Sequence, residues 1–110
     1  MTDATITLEE LRGKLDRGDA FTLVEILPPP RYREGHLPGA IYIPPIQVRE
    51  LAPKRLPDKS AEIVVYCPGP GCGTARAAAA ELAAMGYTNV RDFPGGKAEW
   101  VKAGLPLERP

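Results

Sequence analysis

Hydrophobic and polar positions follow two rhythms along this chain. Leu8, Leu11 and Leu15 recur at helical spacing as far as Gly18, and Thr7 with Glu10 makes a capping-box pattern in front of them, so a short amphipathic helix is predicted. Residues 21–26 then read as a strand. Pro28-Pro29-Pro30 forbids both helix and sheet pairing, so an extended loop is expected to run from there to Gly39. A second strand is predicted over residues 40–43, closed by Pro44-Pro45, and one or two helical turns over residues 46–51 before Pro53.

The central strand is Ile63-Val64-Val65-Tyr66, an unbroken β-branched run suited to a pleated surface covered on both sides. A Gly/Pro loop stops it. Residues 75–85 are almost all strong helix formers, with Thr74 or Gly73 placed to cap the start and Gly86 to end it. Residues 89–93 form a last short strand, Gly95-Gly96 a turn, and residues 97–103 a terminal helix that carries Trp100 as a core anchor. Strands alternating with helices imply an α/β domain with a mainly parallel sheet covered on both faces. The 110 residues fit one such domain. In these sheets ligands bind beyond the carboxyl ends of the strands, and Cys67 stands at one of those ends.

Charge narrows the function. Lys plus Arg equals Asp plus Glu at 14 each, and no basic stripe is interleaved with aromatics, so nothing in the pattern recruits nucleic acid or an acidic membrane surface. Met1-Thr2-Asp3-Ala4 lacks the charged-then-apolar pattern of a secretion signal, and no apolar run has the length of a membrane span. A cytoplasmic location is expected, where the two cysteines are reduced and available for chemistry.

The candidate chemistry lies in Cys67-Pro68-Gly69-Pro70-Gly71-Cys72-Gly73-Thr74. A cysteine facing the first turn of a helix meets unpaired N–H groups and the positive end of the dipole, which favour its thiolate. Pro68 and Pro70 contribute no N–H, so the donors must come from Gly69, Gly71, Cys72, Gly73, Thr74 and the residues just after. The expected site is an anion nest built from main chain. Arg76 is the nearest cation, just after the loop, and Arg31 and Arg33 would join only with the Pro28–Pro30 loop folded over the cysteines. His36, the only histidine, is expected to fix the Gly-Pro-Gly turn by hydrogen bonds rather than to act as a base. Two cysteines and one histidine do not supply the four ligands of a structural zinc site, so no metal is expected.

These residues carry a resemblance. Gly35-His36-Leu37-Pro38-Gly39-Ala40 followed by Ile41 and Ile43, Val64-Val65-Tyr66-Cys67, and Gly86-Tyr87 with Asn89-Val90, Gly95-Gly96 and Glu99-Trp100 resemble, in order, the signatures of the single-domain rhodaneses, sulfurtransferases that carry sulfur as a cysteine persulfide. The resemblance implies a mostly parallel five-stranded sheet flanked by helices, no cofactor, a small-molecule sulfur donor, and a thiol or cyanide acceptor, with a protein acceptor also open. It implies Cys67 as the nucleophile.

Three departures bear on the chemistry. The family often follows the acidic residue of its first strand with an arginine two positions on; here Glu25 is followed by Leu27, so that ion pair is expected to be missing. Measured back from Gly86-Tyr87, the active loop is about two residues longer than in most members of that family. It also lacks a late cation, which disfavours dianionic thiosulfate as a donor. Phosphatases and arsenate reductases of similar architecture need Cys, five residues, then Arg; the sixth residue after Cys67 is Gly73, and Arg76 is the fourth after Cys72. Two roles stay open for Cys72, a resolving thiol that attacks the persulfide or a bystander under the loop. A catalytically silent binding or regulatory module is the alternative to an enzyme.

Overall fold

A computed structural model describes residues 5–69 and 71–109. Helix α1 (Leu8–Arg17) starts as expected: the Thr7 hydroxyl accepts the Glu10 N–H, the Glu10 carboxylate accepts the Thr7 N–H, and Gly18 closes the helix in the left-handed region. Four strands follow in the chain, β1 (Thr22–Glu25), β2 (Ile41–Tyr42), β3 (Ile63–Tyr66) and β4 (Val90–Phe93). They lie in the order β2-β1-β3-β4, all parallel. Among the described residues the sheet thus has four strands where five are implied by the resemblance. The place of a fifth, beside β4, is held by a single parallel bridge between Thr5 and Asp92, with the Ile6 N–H donating to the Asp92 carbonyl at 2.9 Å.

The triple proline does not exclude a helix. Helix α2 (Pro29–Glu34) begins with Pro28 as its cap and prolines at its first two positions, where no intrahelical N–H is needed and a fixed φ suits the turn. Helix α3 (Val48–Arg55), entered through a 3-10 turn at Pro45–Gln47, runs through Pro53 instead of stopping before it. The proline falls in the last turn, and the Leu56 N–H still reaches the Ala52 carbonyl at 2.7 Å. Helices α4 (Thr74–Ala84) and α5 (Gly96–Lys102) match their predicted places to within a residue.

Alternation along β3 divides the core in two. Ile63, Val65 and then Cys67 face α3 and α4 with Val24, Ile26, Val48, Ala52, Ala75, Ala78 and Leu82. Val64 and Tyr66 face the opposite way, into a cluster with Leu11, Leu23, Leu37, Phe93 and Trp100. Small residues on α4 let that helix lie close to β3, which brings its first turn up to Cys67. Among the described residues no helix is long and apolar enough to cross a membrane.

Candidate active site

Cys67 is the first residue after β3 and is 6% exposed. The loop behind it turns on a Cys72 N–H to Gly69 carbonyl bond of 3.3 Å, and Gly71 and Gly73 hold φ of 85° and 75°, values open to glycine at little cost. Gly73 is the cap residue of α4, so no side-chain cap is needed and the Thr74 hydroxyl is left to serve the loop. Pro70 lies outside the described residues.

Main-chain donors converge on the sulfurs. The N–H groups of Gly69 and Ala75 hydrogen-bond Cys67, and those of Thr74 and Ala75, with the Thr74 hydroxyl, hydrogen-bond Cys72. Cys67 and Cys72 also hydrogen-bond each other. The balance differs from the sequence expectation. Burial, and then the S–H bond that Cys67 donates to Cys72, push the Cys67 thiol up to about 11, against the pull of the Ala75 and Gly69 N–H groups. Burial also works against the Cys72 thiolate, but the bonds from Cys67, Thr74 and Ala75 outweigh it and lower that thiol. Of the two thiols Cys72 is therefore the one that ionises first, and Cys67 turns its proton towards it.

A pocket of about 480 Å³ opens onto Cys67, with Gly69, Gly71, Gly73 and Arg76 on its loop side and Thr5, Asp92 and Pro94 on the β4 side. Among the described residues Arg76 is thus the cation on the pocket wall. Arg31 and Arg33 are exposed on α2 and take no part in its wall, and Arg31 instead pairs with Glu34 at 3.2 Å. Cys72 is off the wall too, packed inward against the α3–α4 side of the core.

The entry to the loop is clamped from α5. The Lys97 N–H donates to the Cys67 carbonyl at 3.0 Å and the Ala98 N–H to the Pro68 carbonyl at 2.7 Å. Gly96, at φ 59°, passes so close that an added Cβ would collide with the Cys67 carbonyl oxygen. On the opposite face of the sheet Lys97 does something the sequence reading missed. Its ammonium lies 3.1 Å from Glu25, which is fully buried, and also reaches the Arg31 carbonyl at 3.2 Å. Glu25 therefore has its ion pair after all, with a partner from α5 in place of the absent arginine at Leu27. One clue was present: a lysine in the first turn of a helix opposes the dipole and needs a reason to be there.

His36 has the structural role expected of it. Buried, it lies 3.0 Å from the Tyr32 carbonyl through Nδ1, stacks on the Tyr32 ring at 3.8 Å between centroids, and pairs its backbone with Glu108 at 2.9 and 2.8 Å. Among the described residues no group of histidine, cysteine and carboxylate side chains is placed to hold a metal ion.

Known proteins resemble this chain in sequence and fold. The chain is similar to a sulfurtransferase of Allochromatium vinosum, 30% identical over 96% of this chain and 94% of that protein. It is also similar to the HTH-type transcriptional regulator Rv0324 of Mycobacterium tuberculosis, 35% identical over 94% of this chain. The chain spans only 44% of that regulator's length. Among solved structures, the BH2092 protein of Bacillus halodurans superposes with a TM-score of 0.89 and 31% identity, over 97% of this chain and 77% of that one. The pattern of the Rhodanese-like domain matches residues 7–103, and with the parallel sheet and the cysteine at the end of β3 it places this chain in the rhodanese-like family.

Proposed function

We propose that this domain is a sulfurtransferase in which Cys67 takes a sulfane sulfur from a small donor, holds it as a persulfide and passes it to a thiol or cyanide. The observation that carries the reading is the convergence of the Gly69 and Ala75 N–H groups on a sulfur that opens into the pocket. Fixed donors of this kind stabilise an anion that forms during the reaction without needing to reorganise.

The dithiol supplies the activation that burial alone withholds. Once Cys72 has ionised, the proton of the Cys67 S–H passes to it along the existing hydrogen bond as a donor arrives. The Cys67 sulfur then attacks the outer sulfur of the donor, the donor's sulfur–sulfur bond breaks, and the electron pair leaves with the remainder, sulfite in the case of thiosulfate. Residues 67–74 carry no cation and Arg76 on the wall is exposed, so a dianion gains little there. This favours a donor of low charge, such as a small-molecule persulfide, over thiosulfate.

The test is thiocyanate formation from cyanide with thiosulfate or glutathione persulfide as donor, alongside the intact mass of the chain. Turnover with both the thiocyanate and the added sulfur lost in Cys67→Ser is the expected result. A wild-type chain that takes sulfur from neither donor would overturn the reading. That outcome would favour a binding or regulatory module, to which the relative named as a transcriptional regulator and the raised Cys67 thiol both lend support.

A further inference from the structure

We propose a second activity for the same loop, resting on the reading of Cys67 as a sulfur carrier: Cys72 is an internal acceptor that reduces the Cys67 persulfide, releases hydrosulfide and leaves a Cys67–Cys72 disulfide. A dithiol reductant then restores the two thiols.

Three features of the geometry carry it. Both cysteines are free thiols whose side chains hydrogen-bond each other, and both sulfurs draw on the Ala75 N–H, so they converge on one point of the helix terminus. Cys67 lines the pocket while Cys72 does not, being packed inward against the core. A donor therefore delivers its sulfur from the pocket, and Cys72 meets Cys67 from another side. Displacement at a sulfur wants the attacker across from the leaving group, and an outer sulfur lodged towards the pocket gives that placement. Finally, Cys72 is flanked by Gly71 and Gly73, whose missing side chains let the segment shift by the small distance that separates a thiol hydrogen bond from a covalent bond.

The step balances without an outside oxidant. Cys72, having received the Cys67 proton, returns it to the outer sulfur of the persulfide and becomes a thiolate again. That thiolate attacks the inner sulfur, forming the Cys67–Cys72 bond. The bond between inner and outer sulfur breaks, and its electron pair and the proton leave as hydrosulfide. The outer sulfur is reduced, and the two cysteine sulfurs are oxidised by two electrons between them. The reductant that closes the cycle oxidises its own pair of thiols to a disulfide.

The experiment loads the reduced chain with thiosulfate or glutathione persulfide, with no other thiol present, and follows sulfide release together with intact mass. The wild-type chain is expected to release one sulfide per chain and to end two hydrogens lighter, with a peptide joining Cys67 to Cys72. Cys72→Ser is expected to keep the mass of the added sulfur and to release no more sulfide than a protein-free control. A wild-type chain that keeps its added sulfur, or a Cys72→Ser chain that releases sulfide as wild type does, overturns the inference and leaves the sulfur-carrier reading standing. If neither wild type nor Cys72→Ser gains sulfur or forms the disulfide, both fall together. Should Cys72→Ser fold poorly, the wild-type mass alone still decides.

Discussion

Lys97 holds its ammonium 3.1 Å from Glu25 Oε1, and the Tyr66 hydroxyl donates to the same oxygen at 2.8 Å. The Tyr66 oxygen in turn accepts the Leu37 N–H at 3.0 Å, so one buried carboxylate ties β1, β3, α5 and the turn before β2 together. Its other oxygen, Oε2, has no hydrogen-bond partner among the described residues, which leaves the ion pair as the main compensation for burying the charge. Lys97→Met strips that compensation away. The expected loss is about 3–5 kcal/mol of stability, read as a lower urea midpoint. Lys97→Met combined with Glu25→Gln is expected to recover part of it, since the buried charge is then gone. No recovery in the double variant would mean that the lysine stabilises through packing of its stem.

Alkylation with iodoacetamide should distinguish the two thiols. Cys72, lowered by its hydrogen bonds, reacts first as the pH is raised. Cys67 is mostly protonated below its raised value, so its rate is expected to climb about tenfold per pH unit and to level off near about 11. Cys72→Ala removes both the bond that Cys67 donates and the neighbouring charge, and so shifts that midpoint down. Peptide mapping of the alkylated chain gives both rates. An unchanged Cys67 midpoint in Cys72→Ala would show that burial alone sets it.

Gly96→Ala is expected to damage the site from behind. A Cβ at φ 59° costs about 1–2 kcal/mol in backbone conformation alone, and here it also runs into the Cys67 carbonyl. Relief requires α5 to withdraw, which lengthens the Lys97 and Ala98 bonds that hold the loop entry. A lower melting temperature together with faster Cys67 alkylation is the expected pair of readouts. Gly104→Ala is the control, because a Cβ there meets nothing within 4 Å although the φ is also positive.

Arg76→Ala tests the field at the pocket. An exposed charge contributes about 0.2–1 kcal/mol to a single pairing, so the KM for thiosulfate is expected to rise about twofold to fivefold with kcat little changed. The difference should shrink as salt is added, because the interaction is screened. A low-charge persulfide donor should respond less. Equal responses from both donors would remove Arg76 from substrate binding.

Much of this fold is legible in the sequence. The Thr7–Glu10 box, the β-branched run of β3 and the alanines of α4 each declare their structure locally, because the forces involved act over a few residues. Pro28-Pro29-Pro30 misled because a proline is hostile to a helix interior but welcome in its first turn, and the sequence does not say which applies. The pairing of Lys97 with Glu25 joins residues far apart in the chain, and no local pattern encodes it. At the site, the loop's supply of N–H groups was readable, whereas the opposing effects of burial and of a second sulfur within bonding reach depend on how the loop closes. Of the expected donors Gly69, Thr74 and Ala75 meet a sulfur, the Cys72 N–H turns to the Gly69 carbonyl instead, and the direction of the Cys67 titration is the reverse of the expectation.

The backbone pairing of His36 with Glu108 has a bearing on how the chain acquires its shape. Glu108 also accepts the Gly39 N–H through its side chain at 2.9 Å, and the Arg109 guanidinium reaches the Glu34 carbonyl at 3.0 Å. The turn between α2 and β2 is thus latched by residues made well after it. During synthesis on the ribosome that segment has to wait, exposed, until Glu108 and Arg109 have emerged, so its closure follows that of the sheet and gives a chaperone time to act.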